Sequence, residues 1–329
     1  MEKYFTPKLE DMDKPLLSVI VCTYYREKLL RKCLLSLVSS IGRKKAVEII
    51  VVDNNSPDNT KNVVEEFQKR NPNIKYFLEP KVGLSGTRNR GASVAEGIYL
   101  CYIDDDATVP PTYIKNLMRI VSRYKPDIVS GPVYPVFEGN KPFWLRSMYY
   151  TKKDENRSGF SDSCKVSGAN FTIRKKILCQ LGLFDPALGM KGNKIRIGEE
   201  RKVLDSYRAT IPKKDQKVYF SLPCYVHHFV SRKKMRLLNL LRRSFNGGKC
   251  WALIERSLKT QKDGYPILTL LLFFLFIPFF LPYSFIREFI TRALKGSIGF
   301  DWVKLLMRDF EIIGRNVGRG LIFLEKLKK

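Results

Sequence analysis

Carboxylates are scarce in this sequence: 32 aspartates and glutamates stand against 59 lysines and arginines, a formal net charge of +27 over 329 residues. That imbalance calls for an anionic partner, whether nucleic acid, acidic lipid or a phosphorylated small molecule. Closely paired cysteines are missing too. The seven present (Cys22, Cys33, Cys101, Cys164, Cys179, Cys224 and Cys250) are scattered, odd in number and contain no CxxC pair. Such spacing argues against a disulfide framework and for a reducing compartment. The opening "MEKYFTPKLEDMDKP" has no apolar h-region, so no signal peptide is expected. No internal repeat or low-complexity tract is visible. The stretch "GLSGTRNRG" has neither GxGxxG spacing nor a GKS or GKT ending, and the dinucleotide and P-loop readings both fail. Histidine occurs only twice, as His227 and His228. With Cys224 they raise a zinc reading. On a strand, however, Cys224 and His228 face one way and His227 the other, and a fourth ligand is lacking.

What is present suits a folded chain. An apolar fraction of 44% is ample for a core, and the length allows one large domain plus an appendage. "LLSVIVC" (16–22) and "VEIIVVD" (47–53) are continuous apolar runs of the kind found in strands buried on both faces. Leu30, Leu34, Leu37 and Ile41 between them mark one helix face. Val63, Val64 and Phe67 mark the next helix; "IKYFLE", a helix from about Leu84 to Glu96, and "IYLCYID" continue the series. Strand–helix alternation predicts an α/β fold with a parallel sheet and right-handed crossovers.

Ligands of such sheets bind beyond the carboxyl ends of the strands. Three polar clusters fall there: "CTYYRE" after the first strand, "DNNSPDNT" after the second and "DDDA" after the fourth. The last is the densest acidic cluster of a basic chain. Mg²⁺ or Mn²⁺ takes hard oxygen ligands, commonly one or two carboxylates plus substrate phosphates. Alternation sends Asp104 and Asp106 one way, toward a metal, and Asp105 the other, toward sugar or backbone. A solvated acidic turn is the bland alternative.

"SVIVCTYYREKLLRKCLLSL", "EIIVVDNNSPDNT", "GLSGTRNRG" and "YIDDDATVPP" resemble the successive motifs of glycosyltransferase family 2. "VSGANFTIRKKILCQLGLFDPALG" and "GEER" resemble its acceptor-side loop and catalytic acidic pair. The resemblance runs from about Leu17 to about Gly248. It implies the GT-A fold, a Rossmann-like, mostly parallel sheet flanked by helices, and an inverting transfer from a nucleotide-sugar. It also implies roles position by position. Tyr24, in the rim cluster with Cys22 and Thr23, would lie against the base; Asp53 would hydrogen-bond the base, usually uracil; and Arg88 would lie near base and phosphates. Asp104 and Asp106 would bind the metal that bridges the diphosphate, with His227 approaching the metal or diphosphate. Gly168, Ala169 and Asn170 would line the sugar and acceptor pocket. Glu200 stands where the family usually has the catalytic aspartate and would take the acceptor proton, with Glu199 able to exchange roles. A helix-start pair favoured by the dipole is the alternative for these two.

Residues 231–259 mix Leu237, Leu238, Leu241, Phe245 and Trp251 with many cations, as basic amphipathic helices on anionic membranes do; a helix packed on the catalytic domain is the alternative, and the two can coexist. Beyond them, "GYPILTLLLFFLFIPFFLPYSFI" (264–286) carries no charge and would reach about 34 Å as a helix. Pro278 and Pro282 interrupt it, and cations flank both ends, which favours a re-entrant hairpin with both flanks cytoplasmic over a single crossing. The expected organisation is a tail over 1–15, a GT-A catalytic domain over 16–230 and a helical membrane-associated region over 231–329. The leading reading is a metal-dependent, inverting hexosyl- or glycosyltransferase of polysaccharide biosynthesis. Its catalytic domain would face the cytoplasm, its donor would be UDP-linked, and its acceptor a lipid-linked or growing glycan. The alternatives are a catalytically inactive scaffold of the same fold and a nucleic-acid-binding protein. The second expects basic–aromatic motifs on a platform, whereas the cations here cluster beside an apolar segment.

Overall fold

A computed structural model of the chain describes residues 15–42, 46–153, 155–192, 194–258 and 302–327. The apolar segment 264–286 and the tail before residue 15 lie outside the described residues. Among those described, no helix is long and apolar enough to cross a membrane.

The strands β1 (Leu17–Thr23), β2 (Val47–Asp53), β3 (Ile74–Leu78) and β4 (Tyr99–Asp104) pair in parallel, in the order β3–β2–β1–β4. Their unbroken apolar runs follow from burial on both faces: every residue of β2 and all but Cys22 of β1 are buried. Helix α1 (Glu27–Ile41) buries Leu30, Leu34, Leu37 and Ile41. It packs on one face of the sheet with α2 (Thr60–Gln68), through Val63, Val64 and Phe67, and α4 (Tyr113–Tyr124). On the other face α3 (Leu84–Val94) lies close. A Cβ on Gly91 would come within 2.5 Å of the Ile20 side chain, so only glycine lets this helix approach β1.

The sheet continues past β4 with β9 (Phe171–Arg174), which is antiparallel to both β4 and β6 (Ile128–Ser130). Then come β10 (Val218–Phe220), parallel to β6, and the short edge strand β8 (Gly159–Phe160). A smaller sheet has the order β5–β11–β7, formed by β5 (Ala107–Thr108), β11 (Val226–Val230) and β7 (Val133–Phe137). Helices α5 (Lys175–Gln180) and α6 (Glu199–Thr210) complete this part of the fold.

The chain divides into two compact units. The first takes Met1–Val136, Tyr150–Ala187 and Glu199–Phe229 and contains both sheets' pairing partners named above except the last residues of β7 and β11. The second takes Phe137–Tyr149, Leu188–Gly198 and Val230–Lys329. Within it, α7 (Leu237–Ser257) and α8 (Trp302–Leu327) lie backbone to backbone. A Cβ on Gly248 would strike the Glu311 carbonyl, and one on Gly314 the Phe245 carbonyl. Arg319 donates to Glu255 at 2.8 Å and 3.1 Å along the same seam.

Candidate active site

Parallel pairing brings the polar strand ends to one rim. Thr23 stands opposite Asp53, and Cys22 opposite Asp104. The loops beyond β1 and β2 are clipped together: Tyr25 N–H donates to Ser56 Oγ at 2.9 Å and Glu27 N–H to Asp58 Oδ2 at 3.1 Å. Tyr25 holds a positive φ of 54° in this turn, which few non-glycine residues adopt. Tyr24 beside it is 45% exposed, a ring presented to solvent at the rim. Asp53 is buried, with Oδ1 accepting from Ser56 N–H and Oδ2 from the Tyr76 hydroxyl, both at 2.9 Å. Burial pushes the Cys22 thiol up to about 12, so Cys22 supplies no nucleophile at neutral pH.

The acidic cluster is balanced by a cation that sequence inspection missed. Arg26 Nη1 lies 2.8 Å from Asp105 Oδ1 and 2.9 Å from Asp106 Oδ2. The other oxygen of Asp105 accepts from Thr23 Oγ1 at 2.8 Å. Burial pushes the Asp105 carboxyl up to about 6 against the pull of Arg26. Asp105 therefore turns inward, to the β1 turn, while Asp104 and Asp106 turn to a common point.

His228, not His227, joins them there. His228 Nε2 is 2.9 Å from Asp106 Oδ1 and 3.9 Å from Asp104 Oδ2. This corrects the expectation for His227, and strand alternation is the reason. Val226 and Val230 are buried, so His228 shares their side of β11, and exposed His227 takes the other. A backbone bond from Phe229 N–H to Asp106 O, at 2.8 Å, fixes β11 against the cluster. One ligand atom from each of Asp104, Asp106 and His228 lies within 4.8 Å of the others. In an octahedral site with bonds of about 2.1 Å, neighbouring ligands stand about 3 Å apart and opposite ones about 4.2 Å. Two carboxylates and an imidazole at these separations fit a divalent ion of the Mn²⁺ type.

Arg88 links this cluster to the glutamate pair. It is 2% exposed, pairs directly with Glu199 Oε1, and reaches Asp104 Oδ1 at 3.2 Å. Its guanidinium also lies over the Phe184 ring, 5.5 Å from the centroid. Burial would weaken its charge, but Glu199 and Asp104 hold it firmly protonated. Arg88 thus stands at the strand-end rim between the acidic cluster and the glutamate pair, with Nη1 donating to Glu199 and Nη2 to Asp104.

Helix α6 begins at this point. Burial, with Glu200 adjacent, pushes the Glu199 carboxyl up to about 7, opposed by Arg88. Glu200 is half-buried; burial opposes its charge too, but Lys152 and Arg88 hold it below the usual carboxylate range. Gly168 N–H donates to Glu200 Oε1 at 3.3 Å, and Lys152 Nζ donates to Ser167 Oγ at 3.1 Å. A Cβ on Gly168 would collide with the Arg88 guanidinium, so this residue must be small. Ala169 is buried in the core beside it. Asn170 is fully engaged: it accepts from Tyr113 at 2.7 Å and donates to Cys224 O at 2.7 Å and Pro132 O at 3.2 Å. It braces the loop and has no amide hydrogen left for a ligand. The site thus has an acidic end that fits a cation, an ionised glutamate held apart from it, and a buried arginine between them.

Residues 18–182 match the sequence profile of Glycosyl transferase family 2. Among curated proteins, a GalNAc(5)-diNAcBac-PP-undecaprenol beta-1,3-glucosyltransferase of Campylobacter jejuni is 41% identical over 172 residues, 50% of this chain and 53% of that enzyme. The stretch shared with Streptococcus pneumoniae glycosyltransferase GlyA, 32% identical, covers 44% of this chain and 21% of the relative. The chain therefore spans about half or less of the length of these relatives. In three dimensions the Pyrobaculum calidifontis mannosyltransferase PcManGT, solved with GDP-Man and Mn²⁺, superposes with a TM-score of 0.56 at 12% identity. That match covers 97% of this chain and 89% of the other.

Proposed function

Since the chain belongs to glycosyl transferase family 2, we propose that it is a metal-dependent, inverting transferase taking sugar from a nucleotide-sugar to a lipid-linked or growing glycan. Its fold is GT-A and its class of activity is glycosyl transfer. The observation that carries the finer reading is the convergence of Asp104, Asp106 and His228 at the carboxyl ends of parallel strands, with an ionised Glu200 supported from outside that cluster. A divalent ion bound there would neutralise the diphosphate and stabilise it as a leaving group. Tyr24 offers an exposed ring to the base, and Asp53 a fixed carboxylate beside it. Glu200 takes the proton of the acceptor hydroxyl while that oxygen bonds to the anomeric carbon. The sugar–phosphate bond breaks with its electron pair leaving on the nucleoside diphosphate, and the anomeric configuration inverts. Arg88 keeps Glu199 in place and so orients the start of α6.

The undecaprenol-linked acceptor of the Campylobacter relative supports a lipid-linked acceptor, and the basic helix α7 suits a cytoplasmic membrane surface. A UDP donor rests on S. aureus TarS, solved with UDP-GlcNAc and superposing with a TM-score of 0.53 at 16% identity over 94% of this chain and 92% of that one. We further propose the catalytic domain over residues 16–230 and the membrane-associated region over 231–329.

Two measurements check these statements. With a panel of nucleotide-sugars, the full chain should release nucleoside diphosphate from at least one donor in Mn²⁺ and not in EDTA. Release from none, or release indifferent to the metal, would overturn the donor reading. The full chain should also sediment with membranes and stay bound in high salt, since salt shortens the reach of surface charge to about 3 Å at 1 M. Release by salt alone would remove 264–286 from the bilayer.

A further inference from the structure

Strand β11 presents a second surface, on the side opposite His228. Tyr225 and His227 alternate onto it, and Thr108 of β5 lies in register with His227. Tyr134 of β7 joins them. The Tyr134 and Tyr225 rings meet edge to face with centroids 5.7 Å apart, and the His227 ring lies 5.4 Å from Tyr225 and 6.4 Å from Tyr134. Core packing does not explain the cluster, because His227 is exposed and both tyrosines are only partly covered.

The patch is tied to both halves of the candidate active site. On one strand, the residue after His228 donates its N–H to Asp106 O. On the other, Val133, the neighbour of Tyr134, exchanges two backbone bonds with Lys152, at 2.8 Å and 3.0 Å. Lys152, together with Arg88, favours the ionised form of Glu200. The aromatic patch is therefore anchored to the metal-type cluster through β11 and to the glutamate through β7.

Its chemistry selects one kind of occupant. Flat rings with an apolar face and a polar tip suit a pyranose, whose C–H bonds line one face and whose hydroxyls ring the edge. The polar groups of the patch are the hydroxyls of Tyr134, Tyr225 and Thr108 and the imidazole of His227, which pair with the uncharged hydroxyls of a sugar. We propose that Tyr134, Tyr225 and His227 form a subsite for a neutral pyranose of the acceptor glycan, at least one sugar away from the hydroxyl that reacts. The proposal rests on the reading that the acceptor is a glycan. It gives His227 a place in sugar binding, apart from the metal.

The test uses the full chain in Mn²⁺ and saturation-transfer NMR with neutral β-linked trisaccharides of glucose, galactose, N-acetylglucosamine and N-acetylgalactosamine. At least one should bind the wild type. Tyr225→Leu and Tyr134→Leu keep bulk but remove the flat ring, and each should weaken that binding about tenfold while UDP affinity stays unchanged. Exposed His227 gives the variant least able to disturb folding, and His227→Ala should weaken the same trisaccharide about threefold. No binding by the wild type, or equal binding by His227→Ala and the tyrosine variants, overturns the subsite. A patch-dependent dimer in sedimentation velocity, or patch-dependent binding to phosphatidylglycerol vesicles, overturns it in favour of another occupant. UDP binding separates the two readings. Trisaccharide binding without UDP binding leaves the subsite standing and removes the donor reading; the reverse removes the subsite alone.

Discussion

Glu200→Gln should lower turnover about 10³-fold while leaving the donor Kd within about twofold of wild type. The substitution preserves size, and its amide oxygen can still accept from Gly168 N–H, so the loop geometry survives. Only the ability to take a proton disappears. Donor affinity is spared because Glu200 lies outside the Asp104–Asp106–His228 cluster. Glu199→Gln should behave differently. It removes the charge that faces Arg88 and leaves the buried guanidinium a neutral acceptor in its place, so stability should fall by about 1 to 3 kcal/mol. The pH profile separates the two carboxylates. With Glu200 held below the usual range, the acid limb of kcat should lie below the ordinary glutamate value of about 4.3. An acid limb near 7, where burial places Glu199, would transfer the role of base to that residue.

Asp106→Asn should weaken UDP binding in Mn²⁺ about 10²-fold or more, because a charged ligand of the cation is lost. In EDTA the wild type and the variant should bind UDP equally poorly. Arg26 retains Asp105 in the variant, which keeps the loop after β4 in place and limits the effect to the cluster. The histidines give an internal control. His228→Ala should weaken Mn²⁺ binding, and His227→Ala should not, because their rings lie on opposite sides of β11. Calorimetry reads all three variants. Equal losses at both histidines, or UDP affinity in Asp106→Asn that matches wild type in Mn²⁺, would contradict the assignment of ligands.

Much of this architecture is legible in the residues. The β-branched apolar runs of β1 and β2 suit interior strands, and parallel pairing then brings their polar ends, with that of β4, onto one rim. The three aspartates are less simply read: β4 ends at Asp104, and Asp105 and Asp106 lie in the turn that follows, where both reach Arg26, an arrangement that alternation along an extended segment does not describe. What stayed hidden depends on distant partners. Arg26 and Asp105 are 79 residues apart, and no local pattern announces that the arginine balances the acidic cluster. Lys152 reaches the glutamate pair from a loop with no periodic signal. Arg88 and Asn170 sit in recognisable motifs, but motif position did not reveal that their polar groups are already used by Glu199, Asp104, Tyr113 and Cys224. The choice between the histidines was readable. In "VHHFV" the outer valines mark the buried phase of the strand, and His228 falls on it.

The central claim is that Asp104, Asp106 and His228 hold the ion that binds the donor diphosphate. Crystals of the chain grown with UDP and Mn²⁺ and measured for anomalous scattering test it most directly. The account predicts one strong manganese peak about 2.1 to 2.2 Å from carboxylate oxygens of Asp104 and Asp106 and from His228 Nε2, in contact with the diphosphate. A manganese peak bound by His227, or UDP seated at the rim with no metal between it and these aspartates, would contradict it.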